Sequence, residues 1–149
     1  MKHTLLLDVE LPSNPELLCI VRGMMERLTE VMGFSETECR SVTIAVDEAL
    51  ANIIRHAYQA RSGQPIEISC CRVQRRLNGH KRAGLEITLV DYGPAIDPGK
   101  LRGRSLDDIR PGGLGLHFIR ESMDMMKFTR AGRANQLRLV KYLPEQKPN

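Results

Sequence analysis

The stretch from Ser41 to Tyr58 constrains this chain more than any other. Val42, Ala45, Val46, Ala49, Leu50, Ile53, Ile54 and Ala57 recur at three- and four-residue intervals. That spacing predicts an amphipathic helix with one face in a core. Ile44, Glu48, Asn52 and His56 run alongside, four residues apart, and so stack within about 6 Å of one another. Glu48 and Asn52 therefore point the same way, at the border of the buried face. A carboxylate and a carboxamide so related suit a divalent cation or an oriented water. Taken alone, the pair reads as a polar helix edge with a weak side-chain hydrogen bond.

Two later stretches shift that balance. Asp91-Tyr-Gly-Pro-Ala-Ile-Asp-Pro98 follows an alternating strand, and Pro111-Gly-Gly-Leu-Gly-Leu116 opens another helix. Gly112, Gly113 and Gly115 leave backbone N–H groups bare at a helix N-terminus, where aligned donors and the helix dipole attract phosphate. Neither a P-loop lysine motif nor the G-x-G-x-x-G of dinucleotide folds is present. The order E-x-x-x-N, D-x-G-x-x-I-x-P, G-G-L-G-L resembles the histidine-kinase-like ATPase (Bergerat) fold of gyrase, a heat-shock chaperone, sensor histidine kinases and mismatch-repair ATPases. The wording E-A-x-x-N-x-x-x-H-A-Y, with I-R-x-x-M-D after the glycine box, is most similar to the bacterial anti-sigma-factor serine/threonine kinases. The resemblance runs from the first strand to Tyr142.

The resemblance implies a role for each box. Glu48 would be the general base that orients an attacking serine hydroxyl or water toward the γ-phosphate. Asn52 would hold magnesium against the phosphates, with Arg55 at their margin; His56 reads as structural. Asp91 would accept the exocyclic amine of adenine, with Gly93 allowing close backbone approach and Ala95 and Ile96 packing on the purine. Pro94 and Ala95 depart from the family's usual residues and are expected to stiffen the loop. Gly112, Gly113, Leu114, Gly115 and Leu116 would cradle the phosphates. Lys100, Arg102, Arg104 and Arg110 lie in a lid segment, any of them placed for the γ-phosphate. Arg22 matches an arginine that contacts protein partners. The cofactors implied are ATP and magnesium, and the partners a sigma factor and an anti-anti-sigma factor phosphorylated on serine. The rival reading is a regulatory binding module that uses ATP without phosphoryl transfer; a detached histidine-kinase ATPase domain is a third. A homodimer is left open.

The 149 residues suit a single domain, with 144–149 as a frayed tail. The net charge of +4 raises nucleic acid as a partner, but three Tyr, three Phe and no Trp leave little for base stacking. No apolar run approaches the roughly 20 residues of a membrane span, so a cytoplasmic protein without a membrane or direct nucleic-acid partner is expected. Cys19, Cys39, Cys70 and Cys71 lack metal-ligand spacing, and the last two should point to opposite sheet faces.

Along the chain, residues 3 to 11 read as an edge strand with Leu5, Leu7, Val9 and Leu11 alternating. Leu17, Ile20, Val21, Met24, Leu28, Val31 and Met32 read as a helical stripe closed by Gly33. Ser35-Glu-Thr-Glu38 is a capping box, starting a helix that should reach Tyr58. Residues 65–73 and 85–90 read as strands joined by a long polar turn around Asn78-Gly79, with Arg72 to Arg82 a solvated hairpin tip. A short turn of helix is expected at 105–109, a helix at 114–126, and a closing hairpin of 126–128 and 136–142. The expected fold is α/β (α+β): a two-layer sandwich whose mixed, mainly antiparallel sheet is covered on one face by three helices.

Overall fold

The computed structural model describes residues 2–95 and 113–145, and side chains within those limits except Gly113 and Leu114. The expected helix turn at 105–109, the four lid cations, Ile96 and Gly112 lie outside them. Five strands, β1 (Lys2–Pro12), β2 (Pro65–Leu77), β3 (His80–Asp91), β4 (Met125–Ala131) and β5 (Ala134–Tyr142), form one sheet in the order β1-β2-β3-β5-β4. Every recorded pairing is antiparallel. The helices are α1 (Leu18–Met32), α2 (Glu36–Asn52) and α3 (Gly113–Ser122). Helix α2 packs against both α1 and α3, and no described helix is long and apolar enough to cross a membrane.

One sheet face holds the core. Ile66, Ile68 and Cys70 of β2, Leu85, Ile87 and Leu89 of β3 and Leu137 and Leu139 of β5 cluster with Val42, Val46 and Leu50 of α2. Each such side chain contributes roughly 1.5–3 kcal/mol when fully buried. A smaller cluster of Val73, Val140 and Tyr142, with Cys71 and Met125 beside it, lies on the other face. Cys70 is buried and Cys71 half-buried, on opposite faces as expected. Burial pushes the Cys70 thiol up to about 12, and neighbouring Cys71 adds to the shift; it stays protonated.

Local chemistry fixes α2. Ser35 Oγ accepts from the Glu38 N–H at 3.2 Å and Glu38 Oε2 accepts from the Ser35 N–H at 2.9 Å. Loss of such a cap typically costs ~1 kcal/mol. Phe34 and Cys39, the residues flanking the box, are both buried. Beyond Asn52 the helix continues to Ala57, as read, but widens into a π turn, Ile53–Ala57. Its exit is left-handed at two non-glycine residues, Gln59 (φ 50°) and Ala60 (φ 59°), each costing about 1–2 kcal/mol. The Ala60 N–H donates to Ile54 O at 2.8 Å and offsets part of that cost.

Several elements correct the sequence reading. In α1, Ile20 and Val31 are 63% and 68% exposed, while Met25 and Thr29 are buried instead. Thr29 Oγ1 donates to Met25 O at 2.8 Å, which lets a hydroxyl sit in the core. In β1 the register shifts between Leu5 and Leu7: Leu5 pairs with Cys71 and Leu7 with Cys70. Leu6 is a bulge, so Leu5 faces away from Leu7, Val9 and Leu11. The long turn around Asn78-Gly79 is a two-residue one, with φ of 49° and 83° and Leu77 paired to His80, the dihedral signs of a type I′ hairpin. Helix α3 stops at Ser122 rather than Met126, where β4 takes over.

Candidate functional site

The last turns of helix α2 carry the site. Glu48 and Asn52 are half-buried on its flank, one turn apart. The first turn of α3 lies over them: a Cβ at Gly115 would stand 2.8 Å from Glu48 Oε2 and 3.7 Å from Asn52 Nδ2. The glycine box and the E-x-x-x-N pair therefore converge, as the sequence order implies. Asn52 Oδ1 is buried and has no hydrogen-bond partner among the described residues. A buried amide oxygen left bare costs about 1–3 kcal/mol, and a hard cation is the kind of group that would satisfy it. Among the described residues no three His, Cys, Asp or Glu cluster for a metal. A cation here would complete its shell with oxygens of a bound polyphosphate, so the residues fit magnesium together with a nucleotide.

Past the C-terminal end of α2, the π segment Ile53–Ala57 meets the turn after β3. A Cβ at Gly93 would lie 2.6 Å from Ala57 O and 2.8 Å from Ala57 Cβ, so only glycine lets the turn pass the π segment. Asp91 is 3% exposed, and its Oδ1 accepts from the Gly93 N–H and from Asn135 Nδ2, both at 2.9 Å. Asn135 Nδ2 also approaches Gly93 O and Pro94 O at 3.1 Å. Arg130 donates to Asn135 Oδ1 at 2.8 Å and to Gly93 O at 3.2 Å. The Tyr58 hydroxyl accepts from the Tyr92 N–H at 2.8 Å and donates to Pro65 O. Burial pushes the Tyr58 pKa up, which keeps the hydroxyl a donor.

Asn135, Arg130 and Tyr58 brace the loop, yet the sequence reading assigns them no part in it. One signal was there: Asn135 occupies a core-side position in register with Leu137 and Leu139. An amide in that place demands polar partners.

The remaining expected residues are less engaged. Ala95 is exposed beyond the turn and Leu116 is half-buried in α3, whose first turn also contains Gly113 and Leu114. Arg55 is exposed and, among the described residues, its Nε reaches Ala51 O, at 3.4 Å, one turn back. Arg22 pairs with Asp47 of α2 at 2.9 Å, with both side chains partly exposed. A surface pair of this kind contributes roughly 0.2–1 kcal/mol.

A family model for the histidine kinase-like ATPase domain matches residues 11–141. The serine-protein kinase RsbW of Bacillus pumilus is 29% identical over 127 residues, covering 80% of this chain and 75% of that protein. RsbW of Oceanobacillus iheyensis is 26% identical over 129 residues, covering 81% and 77%. Among solved structures, one from the SiaB–SiaC complex of Pseudomonas aeruginosa superposes with a TM-score of 0.65 at 14% identity, over 93% of this chain and 89% of that one. The structure of the RsbU and RsbW domains of Rv1364c from Mycobacterium tuberculosis gives 0.58 at 11% identity, with 97% of this chain spanning only 35% of that longer one. At such identities the two structures establish the shared fold. The matched span contains Glu48, Asn52, Asp91 and Gly115 in the order their boxes predict, and the chain belongs to the histidine kinase-like ATPase domain family.

Proposed function

We propose that this protein is an ATP- and magnesium-dependent serine/threonine protein kinase of a partner-switching system. Its substrate would be a serine of an anti-anti-sigma factor, and a sigma factor or similar regulator its sequestered target. The observation that carries this reading is the convergence on one spot of Glu48, the bare Asn52 Oδ1 and the space at Gly115. The serine-protein kinase names of the relatives support it.

In this reading each side chain has one task. Asp91, held by Gly93 and Asn135, presents its carboxylate to the adenine amine. Gly93 and Ala95 leave room for the base, on which Ile96 would pack. Asn52 holds magnesium, which supplies neutralisation of phosphate charge. The α3 N-terminus, with Gly112, Gly113, Leu114, Gly115 and Leu116, offers backbone donors to phosphate oxygens. Glu48 accepts the proton of the attacking serine and orients its oxygen; positioning and charge carry most of such a reaction. Arg55 lies at the phosphate margin and Arg22 on the α1–α2 surface offered to the protein partner.

The test mixes purified protein, γ-labelled ATP, magnesium and an anti-anti-sigma-factor-like protein from the same genome. Label on a serine of that protein is expected. Nucleotide binding without transfer to it would support the binding-module reading instead.

A further inference from the structure

The β2–β3 hairpin outruns its neighbour. Among the described residues β1 pairs with β2 only as far as Lys2↔Gln74, whereas β2 and β3 continue to Leu77↔His80. The notch left at the sheet edge is a cleft of about 430 Å³ lined by Lys2, Gln74, Arg75, Arg76 and Lys81. Across the hairpin, Arg75 faces Arg82 and Arg76 faces Lys81, and like charges directly opposed destabilise a ladder. The first pair is relieved: Arg82 donates to Leu143 O at 2.9 Å and lies over the Tyr142 ring, and Arg75 donates to Met125 Sδ at 3.2 Å. The second is not. Lys2, Arg76 and Lys81 are exposed and none forms an ion pair with a described residue.

The two faces of this edge differ. Cross-strand partners share a face, so Lys2, Gln74, Arg76 and Lys81 lie on the helix-bearing side. His3 and Leu5, paired with Val73 and Cys71, lie on the other, and Leu5 is 60% exposed. As the outermost strand among the described residues, β1 also turns one row of backbone donors and acceptors outward.

We propose that this notch and the adjoining edge of β1 dock an extended segment of a partner protein in which acidic and apolar residues alternate. A strand added to an edge sends successive side chains to opposite faces. Its carboxylates then reach Lys2, Arg76 and Lys81 while its apolar residues cover Leu5. A bilayer or a nucleic-acid backbone meets one face only and leaves Leu5 bare. Among the described residues no aromatic side chain lines the cleft for base stacking either. This surface shares no residue with the Glu48–Asn52–Gly115 site, and the proposal does not rest on the kinase reading.

Fluorescence anisotropy with short labelled peptides tests it. A peptide alternating Glu and Val should bind, less tightly as salt rises, while one of equal composition with its Glu in a block should not. Arg76→Glu should weaken binding about tenfold, because it removes one exposed charge pair and sets a like charge against the peptide in its place. It also gives Lys81 an opposite charge across the hairpin, so the melting temperature should hold or rise, which excludes unfolding as the cause. Equal binding of the blocked peptide, or no effect of Arg76→Glu, overturns the proposal. So does tighter binding of a single-stranded oligonucleotide or of phosphatidylserine vesicles. A dimer in sedimentation that Leu5→Asp dissolves would assign the edge to a second copy of this chain and overturn it as well.

Discussion

The two ends of the site, the Asp91 turn packed on Ala57 and the Glu48–Asn52 pair below Gly115, are finished to different degrees. At the Asp91 end the protein bonds its own loop: Asp91, Gly93, Asn135 and Arg130 join one another at 2.8–3.2 Å. At the Glu48 end a buried amide oxygen of Asn52 has no described partner, and a glycine keeps open the space above Glu48. A bonded loop holds one shape before any ligand arrives. A bare buried acceptor destabilises the empty site by about 1–3 kcal/mol, which a suitable cation would return. On the proposed function, recognition of the base is set by the protein, while the metal and phosphate end is completed by what binds there.

The widest separation between the ends should come from Glu48→Gln. The amide keeps the size and reach of the side chain but cannot take a proton from the attacking hydroxyl. Transfer to the partner protein should fall by roughly two orders of magnitude or more. Nucleotide affinity should hold, because a group acting on the nucleophile adds little to ground-state binding. Wild-type turnover by this variant, in the labelled-ATP assay, would remove Glu48 from catalysis.

Asp91→Asn acts at the other end and on the other quantity. Its oxygen can still accept from the Gly93 N–H and Asn135, so the loop should stand. The adenine amine loses a charged acceptor, and ATP affinity should drop by about 1.5–3 kcal/mol. Titration calorimetry that finds unchanged affinity would exclude the adenine role.

Two glycine substitutions sharpen the contrast. In Gly93→Ala the new methyl group meets the Ala57 backbone at 2.6 Å, and backbone yields poorly. Overpacking of this kind costs roughly 1–3 kcal/mol, read as a lower melting temperature without ligand. In Gly115→Ala the nearest atom, 2.8 Å away, is the free end of the Glu48 side chain. That end can swing, so stability should change little while transfer declines. Equal melting temperatures for the two variants would mean that the Gly93 approach is not rigid.

The same contrast explains what could be read from the sequence. The capping box at Ser35, the α2 stripe and the order of the boxes are local patterns, and the structure reproduces them. The bracing of the Asp91 turn is not local. Asp91 and Asn135 become neighbours only through the β3–β5 register, and Arg130 reaches them from the next strand. The Leu6 bulge was hidden because Leu5 to Leu11 alternates without a break in type; only the partner strand shows the slip. In α1 the apolar pattern offered more candidates than the core has room for. Thr29 won a buried place over Val31 because its hydroxyl finds a carbonyl one turn back.

The smallest effect expected on the empty protein is that of Asn52→Ala, and it tests the unfinished end most directly. Removing a buried oxygen that bonds to nothing among the described residues removes a desolvation cost along with some packing. The nucleotide-free protein should therefore stay within about 1 kcal/mol of the parent, or gain slightly. Most buried Asn-to-Ala changes instead break a bond that had been made. The loss should appear only with ligand. ATP alone should bind about as before, but the gain in affinity on adding magnesium should vanish, because its proposed protein ligand is gone. Calorimetric titrations with and without magnesium read that difference, and a thermal melt reads the stability. A variant much less stable when empty would show that Asn52 Oδ1 already has a structural partner. An intact magnesium effect would place the metal on some other group.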